Sequence, residues 1–247
     1  MRRWLAWTTW ISWCARLPRD VGAILVAAGS GVRFGSETPK QFHPLAGVPI
    51  VLRALRPFAS HPDVAQVVLV LPPAHAANPP AFLSDIPGTG LTIVGGGPHR
   101  GDSVRAGLAA LRAECGVILV HDGARPFVDR DVIDAVIGYA RNGEGAVPAV
   151  PMSDTLKEVD RRDATRVVRT RPRARIWRAQ TPQGFPRQML EKAHARAART
   201  GHRATDDAAL VEAMGVTVRL VPDRKRNIKI TTPEDLAIAE LLVAESR

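Results

Sequence analysis

The sequence predicts an α/β fold: a three-layer, Rossmann-like domain with a mostly parallel twisted sheet and a projecting β-hairpin arm. Short apolar runs rich in Val, Ile and Leu alternate with helical segments, which is typical of βα units around a parallel sheet. Glycine-rich or charged segments follow several of these runs directly, at the carboxyl ends of strands where ligands bind in such folds. At 247 residues the chain is long enough for one such domain with a sizeable core.

Residues 1–20 differ in composition from the rest of the chain and are expected to lie outside the fold. The apolar run at 4–14 is too short to span a bilayer, so we expect no stable membrane association. A short signal peptide, an interfacial helix, a disordered extension and a mis-set translation start near Val21 all remain open. Four of the five tryptophans recur here at every third residue: Trp4, Trp7, Trp10 and Trp13. We expect residues 21–247 to form a single domain.

The first predicted strand, residues 21–27, runs into a loop that has the features of a polyphosphate site. Small residues allow backbone amides to approach a ligand closely, and successive amides of this kind form a concavity that binds anions. Arg33 and Lys40 place two cations on the same loop, which favours a polyphosphate over a single carboxylate. The candidate nucleotide-binding residues of this loop are Ala27, Ala28, Gly29, Ser30 and Gly31.

Other glycine-rich loops fit this stretch less well. A dinucleotide fingerprint requires three glycines that run straight into a helix, but here the third glycine is one place late and Thr38-Pro39 blocks an immediate helix. A P-loop requires Gly-Lys-Ser/Thr, which is absent. An ordinary glycine-rich turn is the remaining alternative, and the spaced cations favour a nucleoside triphosphate over it.

The middle of the chain continues the alternation. A helix is predicted to begin near Pro49, with the proline in its first turn, and Pro72-Pro73 ends the next strand. The predicted elements are strands at 66–71, 91–94, 117–120 and 146–150 and helices at 100–112 and 131–139.

The segment 95–104 reads GGGPHRGDSV and connects a predicted strand to a helix. Its glycines, including Gly96 and Gly97, allow the edge of a planar base to meet backbone amides and carbonyls. Ser103, in the first turn of the helix, is placed to reach a base or a phosphate. The alternative is a plain turn in which Asp102 or Ser103 caps the helix.

The segment 121–126 reads HDGARP and follows the next strand directly. The carboxylate of Asp122, beside the phosphate loop, is placed to act on a metal–triphosphate complex or on a second substrate. Gly123 and Ala124 are expected to contact the nucleotide and Arg125 the second substrate. The alternatives are a turn residue for Asp122 and a surface ion pair for Arg125, and His121 is expected to be structural.

Residues 152–180 change pattern and predict a projecting arm. Two alternating strands, at 153–159 and 166–173, are joined by a polar turn at 160–163. A hairpin that is polar on both faces cannot bury itself against its own sheet. Such an arm typically packs against a second subunit, which implies a C₂ homodimer. The alternative is a surface hairpin with solvated charges.

Two further segments carry candidate residues near the C-terminus. Thr181 precedes a proline and is therefore held extended, so that its hydroxyl can point at a ligand phosphate. The segment 205–208 predicts a helix start capped by Thr or Asp. Lys229 lies in the run NIKITTPEDL, just before the C-terminal helix, where Pro233 is expected in the first turn. An isolated lysine is otherwise usually a solvated surface residue.

Together these motifs resemble the nucleotide-sugar pyrophosphorylase-like nucleotidyltransferases, and most closely the 2-C-methyl-D-erythritol 4-phosphate cytidylyltransferase family. The resemblance covers residues 21–247, with five separated motifs in the family's order. The matching patterns are the glycine loop with its lysine, G-G-x-x-R-x-x-S-V, H-D-[AG]-A-R-P, W-x-[AS]-Q-T-P-Q-x-F and N-I-K-[IV]-T-x-P-E-D-L. Pro98 departs from the acidic residue that many members of the family have at that position.

The resemblance implies transfer of CMP from CTP to 2-C-methyl-D-erythritol 4-phosphate, with release of pyrophosphate, in isoprenoid precursor biosynthesis. It implies Mg²⁺ held mainly by the CTP phosphates, with Asp122 as the one candidate side chain. Arg33 and Lys40 would stabilise the transition state. Thr155 and Arg173 of the arm would enter the neighbour's site and, with Lys229, hold the acceptor phosphate. A ribitol 5-phosphate cytidylyltransferase and a non-catalytic nucleotide-binding module remain alternatives.

Charge and cysteine content limit the other function classes. The net charge is +10, but the arginines are scattered, aromatic residues make up 5%, and no basic run is interleaved with stacking residues. We therefore expect no nucleic-acid binding, whereas a positive field suits phosphorylated substrates. Cys14 and Cys115 have no metal-ligand spacing, and thiols in a reducing cytoplasm are the expectation.

Overall fold

The computed structural model of the chain describes residues 19–29, 34, 39–84, 86 and 90–245. Most of the predicted N-terminal extension, residues 1–18, lies outside the described residues. The same holds for Ser30, Gly31 and Arg33 of the predicted phosphate loop.

Strands and helices alternate along the described chain. The strands are β1 (Val21–Val26), β2 (Pro44–Leu45), β3 (Val48–Pro49), β4 (Val64–Leu71), β5 (Leu91–Gly95), β6 (Val117–Asp122), β7 (Gly145–Pro151), β8 (Leu156–Val159), β9 (Val167–Arg171), β10 (Trp177–Ala179), β11 (Gln183–Pro186) and β12 (Val218–Pro222). The α-helices are α1 (Ile50–Ala59), α2 (Pro73–Ala77), α3 (Arg100–Ala110), α4 (Arg130–Arg141), α5 (Arg187–Thr200), α6 (Asp207–Glu212) and α7 (Pro233–Glu245).

The central sheet has eight strands, in the order β10-β7-β11-β6-β1-β4-β5, with β12 also paired to β7. The pairs of β1 with β4 and β6, of β4 with β5 and of β7 with β12 are parallel. Strand β11 runs antiparallel between β6 and β7, and β10 runs antiparallel to β7. The prediction of a mostly parallel sheet is confirmed, although the sequence did not predict β10, β11 and β12.

The sheet is covered on both faces, so the three-layer prediction is also confirmed. Because side chains alternate along a strand, β1 contributes Ala23 and Leu25 to one core and Ile24 to the other. The first core is completed by α1 and α4, and the second by α3, α5 and α6. These two layers hold the strand ends, where the predicted site residues lie, in a fixed arrangement.

Most helix boundaries agree with the predictions. Pro233 is the first residue of α7, and Asp206 caps α6 by accepting a hydrogen bond from the Ala209 amide at 3.0 Å. Pro49 immediately precedes α1 rather than lying in its first turn. Helix α3 ends two residues before the predicted Arg112, whose amide instead donates to the buried side chain of Gln66 at 2.8 Å.

The ordered fold begins before the predicted boundary at residue 21. Arg19 Nη2 donates to the Val64 carbonyl at 2.9 Å. The Asp20 carboxylate pairs with Arg141 at 2.5 Å, and its carbonyl accepts from the Val117 amide at 3.2 Å. These two residues therefore belong to the fold and fasten the start of β1, which corrects the assignment of 1–20 as a whole to an extension.

The predicted arm is present as an antiparallel hairpin of β8 and β9, outside the central sheet. All residues of β9 are exposed, including the apolar side chains of Val167 at 53% and Val168 at 54%. The arm therefore projects from this chain with apolar surface uncovered. In the described part of the chain, no helix is long and apolar enough to cross a bilayer.

Candidate active site

A cavity of about 340 Å³ opens where β1, β5 and β6 end. This is the position that the parallel topology predicts for a ligand site. Residues 26–29 after β1, 97–100 after β5 and 122–124 after β6 form three parts of its wall. The remaining lining side chains are Lys40, Gln41, Ser103, Lys229 and Thr231.

The strand ends approach each other so closely that side chains are excluded at two glycines. A Cβ atom placed on Gly96 would lie 2.4 Å from Cβ of Ala28, and one placed on Gly123 would lie 2.8 Å from Cβ of Ala27. Both distances are too short for real carbon contacts. The small residues predicted from the sequence are thus needed to bring the loops after β1, β5 and β6 together.

Two neighbouring residues connect the loop after β1 with the C-terminal part of the site. Gln41 is buried, and its Nε2 donates to the Ala27 carbonyl at 2.8 Å. Nζ of Lys40 donates to the Ile230 carbonyl at 3.1 Å. Lys40 therefore lies where the loop after β1 meets the segment that carries Lys229.

The carboxylate of Asp122 is the centre of the charge arrangement. Its Oδ2 lies 2.9 Å from Nζ of Lys229 and 3.3 Å from Nε of Arg125, and its Oδ1 lies 3.8 Å from Nε of Arg100. Burial alone would raise the pKa of Asp122. The attraction of Lys229, Arg100 and Arg125 outweighs burial and holds that pKa well below its ordinary value, so the carboxylate is ionised.

Arg125 lies behind this carboxylate and outside the cavity lining. Its Nη1 donates to the Asn227 carbonyl at 2.8 Å, and the Ile230 amide donates to the Ala124 carbonyl at 2.9 Å. These bonds fasten the segment 227–231 to the end of β6. The structure thus gives Arg125 the ion pair that was the alternative to substrate contact, and places it where it supports Lys229.

His121 and Thr181 form a buried hydrogen-bond chain beneath Asp122. Nε2 of His121 donates to the Arg125 carbonyl at 2.9 Å, so Nδ1 accepts from the Thr181 hydroxyl at 2.9 Å. The same hydroxyl accepts from the Asp122 amide at 3.1 Å. His121 is structural, as expected, and burial lowers its pKa to about 4. Thr181 lies outside the cavity lining, and its hydroxyl positions Asp122 instead of pointing into the cavity.

The other predicted residues are distributed as follows. Ser103 lines the cavity, with its hydroxyl donating to the His99 carbonyl at 3.3 Å. Asp102 accepts from the His99 amide at 3.1 Å, so the predicted cap at the start of α3 is present. Thr155 and Arg173 belong to the arm and do not line the cavity of their own chain. Arg173 donates to the Ser153 carbonyl.

Sequence reasoning missed Arg100 and Gln41. Both stand inside quoted motifs, but neither was given a role, because a side chain's partner is not visible from motif position alone. The signal for Arg100 was its place at the start of α3, in the segment that follows the carboxyl end of β5. The structure makes it part of the cavity wall, between Asp122 and the buried Asp207.

A divalent metal fits this cavity only if the substrate supplies most of the ligands. In the described residues, no group of three or more His, Cys, Asp or Glu side chains is arranged to hold a metal ion. Asp122 is the one acidic side chain among the described residues that line the cavity. This donor set suits Mg²⁺, which is commonly bound through one or two carboxylates and substrate phosphates.

Comparison with known proteins identifies a family over nearly the whole chain. Residues 21–245 match the family model described as IspD: 2-C-methyl-D-erythritol 4-phosphate cytidylyltransferase. A relative of that name from Streptomyces coelicolor is 42% identical over 240 residues, which cover 94% of this chain and 88% of the relative. A bifunctional IspD/IspF enzyme from Rhodospirillum rubrum is 45% identical over 90% of this chain, and the match spans 56% of that relative.

Solved structures give the same result for the fold. The 2-C-methyl-D-erythritol 4-phosphate cytidylyltransferase of Thermus thermophilus superimposes with a TM-score of 0.74 at 37% identity, covering 90% of this chain and 98% of that one. The 4-diphosphocytidyl-2C-methyl-D-erythritol synthase of Anaerococcus prevotii superimposes with a TM-score of 0.78 at 26% identity, covering 91% and 98%. The mostly parallel α/β architecture is therefore shared with these enzymes.

The burial of neutral His121 predicts acid sensitivity of the fold. Above pH 6.5 the residue is neutral in both states and contributes nothing, whereas between pH 6.5 and its folded pKa of about 4 only the unfolded chain binds the proton. The free energy of unfolding should therefore fall by about 2–3 kcal/mol over this range from His121 alone. Urea denaturation at pH 7.5 and 4.5 measures the loss. His121→Gln, which retains one amide donor and one acceptor but does not titrate, should lose less, and an equal loss would contradict the assignment.

The close approach of the loops predicts that Gly96→Ala is destabilising. The added methyl group would force the Gly96 and Ala28 backbones apart, and overpacking of this kind costs about 1–3 kcal/mol in the free energy of unfolding. Gly101→Ala is the matched control, since no described atom lies within 4 Å of its added Cβ in α3. We expect that variant to be neutral or stabilised by about 0.5–1 kcal/mol. Equal stability of the two variants would contradict the packing argument.

Proposed function

Since the chain belongs to the 2-C-methyl-D-erythritol 4-phosphate cytidylyltransferase family, we propose that it carries out the family's reaction in the cavity at the ends of β1, β5 and β6. The enzyme transfers CMP from CTP to 2-C-methyl-D-erythritol 4-phosphate in isoprenoid precursor biosynthesis. A phosphate oxygen of the acceptor forms a bond to the α-phosphorus of CTP. The bond from that phosphorus to the bridging oxygen breaks, and pyrophosphate leaves.

The chemistry requires positioning and charge neutralisation rather than a protein nucleophile. The acceptor phosphate is already anionic near neutral pH, so no side chain must remove a proton from it. The convergence of Lys40, Lys229 and Asp122 on one cavity is the observation that carries the proposal. Side chains held in place before the reaction can stabilise the charge that develops on the transferring phosphoryl group.

We assign the nucleotide to the part of the cavity formed by the loops after β1 and β5. The Ala27 amide donates to the Val70 carbonyl at 2.8 Å, so the backbone amides of Ala28 and Gly29 would face the triphosphate, with Ala27 in the wall beside them. Gly97 and Ser103, beside Pro98, would face the cytosine, with Gly123 and Ala124 completing the wall. Lys40 would contact the transferring phosphate. We assign the same role to Arg33, because it belongs to the same sequence motif.

We assign the acceptor to the neighbourhood of Lys229 and Asp122. Lys229 is 40% exposed at its side chain while its ammonium group pairs with Asp122, so it faces the cavity in a fixed direction. That geometry suits an amine that holds the acceptor phosphate in line with the α-phosphorus. Asp122 would hold either an acceptor hydroxyl or the Mg²⁺ of the nucleotide, and a bound Mg²⁺ would neutralise part of the triphosphate charge.

We further propose a homodimer in which each arm completes the cavity of the other subunit through Thr155 and Arg173. The arm is outside the central sheet and does not line its own cavity, and its apolar side chains Val167 and Val168 are exposed, as is Trp177 of β10. Burial of those side chains against a second copy would be favourable. A cytoplasmic location and the absence of nucleic-acid partners remain part of the proposal.

The function is tested by pyrophosphate release from Mg-CTP with 2-C-methyl-D-erythritol 4-phosphate and, in parallel, with ribitol 5-phosphate. We expect strong turnover with the first acceptor alone. Lys40→Ala should lower kcat by about 10²–10³-fold, the scale of losing one preorganised donor to the transition state. Lys192→Ala, on the exposed surface of α5, is the matched control and should retain wild-type turnover. Near wild-type turnover of Lys40→Ala would refute its role, and preference for ribitol 5-phosphate would refute the acceptor assignment.

The arm model is tested by mixing two impaired variants. Arg173→Ala should lower kcat/KM for the acceptor by about 10- to 100-fold, which corresponds to the free energy of one charged hydrogen bond. Arg166→Ala, in the exposed turn of the arm, is the control and should leave kcat/KM unchanged. In heterodimers of Lys40→Ala and Arg173→Ala subunits, one cavity has both wild-type residues if the arm acts on the partner. Co-refolded mixtures should therefore recover about one quarter of wild-type activity. No recovery would show that the arm acts within its own chain or not at all.

A further inference from the structure

Arg100 lies between two carboxylates but is hydrogen-bonded to only one of them. It is the first residue of α3, and one side of its side chain lines the cavity. Its Nη1 donates to Oδ2 of Asp207 at 2.6 Å, whereas its Nε stops 3.8 Å from Oδ1 of Asp122. The first distance is a strong charged hydrogen bond, and the second is beyond hydrogen-bond range.

Asp207 is held in place on both sides and lies outside the cavity lining. Its side chain is 1% exposed, and its second oxygen, Oδ1, accepts from Nε2 of His194 at 2.9 Å. Its backbone amide donates to Oε1 of Gln183 at 3.1 Å. The carboxylate is thus held by His194 of α5 and its backbone by Gln183 of β11, and these contacts oppose a movement of Asp207 with Arg100.

Asp207 is ionised and therefore competes with Asp122 for the same guanidinium. Burial by itself raises the pKa of Asp207, but attraction to Arg100 and the bond from His194 outweigh burial and lower it. Because the Coulomb energy of a charge pair falls with distance, Arg100 is held mainly by the closer carboxylate. Oδ2 of Asp122 is already paired with Lys229 and Arg125. The distance between Arg100 and Oδ1 therefore decides whether Oδ1 can bind a substrate.

We infer that Asp207 is a positioning residue for the reaction: by holding Arg100 short of Asp122, it keeps Oδ1 of Asp122 open toward the cavity for substrate. Without the Asp207 charge, Arg100 would close onto Asp122 and occupy that oxygen. The inference rests on the proposed role of Asp122 in binding the acceptor or the Mg-nucleotide. It assigns a role in the cytidylyl transfer to a side chain that lies outside the cavity wall.

The inference is tested by a double-mutant cycle of Asp207→Asn and Arg100→Gln, with initial rates measured over both CTP and 2-C-methyl-D-erythritol 4-phosphate. Asp207→Asn alone should lower kcat/KM for the acceptor by about 10-fold, because the released Arg100 occupies Oδ1. In the Arg100→Gln background no guanidinium is present to move onto Asp122. There, Asp207→Asn should lower kcat/KM for the acceptor by less than about twofold. A full additional loss in that background would overturn the inference.

A matched control separates positioning from packing. His194→Leu removes the other hydrogen-bond partner of the same buried carboxylate but leaves its bond to Arg100. We expect this variant to lose stability in thermal unfolding but to keep kcat/KM within about threefold of wild type. A loss equal to that of Asp207→Asn would show that Asp207 acts only through the packing of α5 and α6, and would overturn the inference.

The design distinguishes failure of the inference from failure of the function. If wild type does not turn over either acceptor, the proposed function fails, whereas normal wild-type turnover with an unimpaired Asp207→Asn overturns only the positioning role. Should Asp207→Asn not fold, the double variant removes both charges and leaves no unpaired buried ion. Its kcat/KM should then lie within about twofold of that of Arg100→Gln, and a further 10-fold loss would overturn the inference.

Discussion

The site depends on one buried carboxylate and on the cations that surround it. Asp122 ends β6, and three cations reach it from separate parts of the chain: Arg100 from α3, Arg125 from the following turn and Lys229 from the segment before α7. A buried ion is costly to desolvate and is stable only when its partners are held in good geometry. The same charge therefore fixes the relative positions of β6, α3 and the segment 227–231, which form much of the cavity wall.

This charge arrangement requires that the strand ends lie unusually close together, and backbone chemistry makes this possible. Gly96 and Gly123 leave no room for a side chain against Ala28 and Ala27. Their amides donate to the Leu71 and Val26 carbonyls at 2.8 and 2.9 Å, so the approach costs no unpaired backbone group. Small residues and backbone hydrogen bonds thus bring the loops after β1, β5 and β6 to one place.

Sequence pattern was sufficient for the parts of the structure that are local. Apolar runs predicted β1, β4, β5, β6 and β7, and the strand-end rule led to Asp122 and the glycine loops. Sequence pattern was not sufficient where the role of a residue depends on a partner side chain that is distant in the sequence. The Thr181 hydroxyl was expected to face a phosphate, but its partner is His121, 60 positions away. Likewise, Arg100 pairs with Asp207 across 107 positions. Strand β11 could not be predicted because it is short and contains glycine and proline, so that only its pairing with neighbouring strands identifies it.

The described cations of the site divide into two classes that follow from their chemistry. Arg125 uses its planar fork to join two acceptors, Asp122 and the Asn227 carbonyl, and Arg100 is hydrogen-bonded to Asp207 with its Nε 3.8 Å from Asp122. Lys40 and Lys229 carry compact ammonium groups on flexible stems and line the cavity. The guanidinium groups therefore build the frame, and the ammonium groups are left to face a substrate that brings several negative charges. The two arginines are partly neutralised by their carboxylates, and Lys229 shares Asp122 with them. Under the proposed function, the two amines that line the cavity are the groups that would face the triphosphate and the acceptor phosphate.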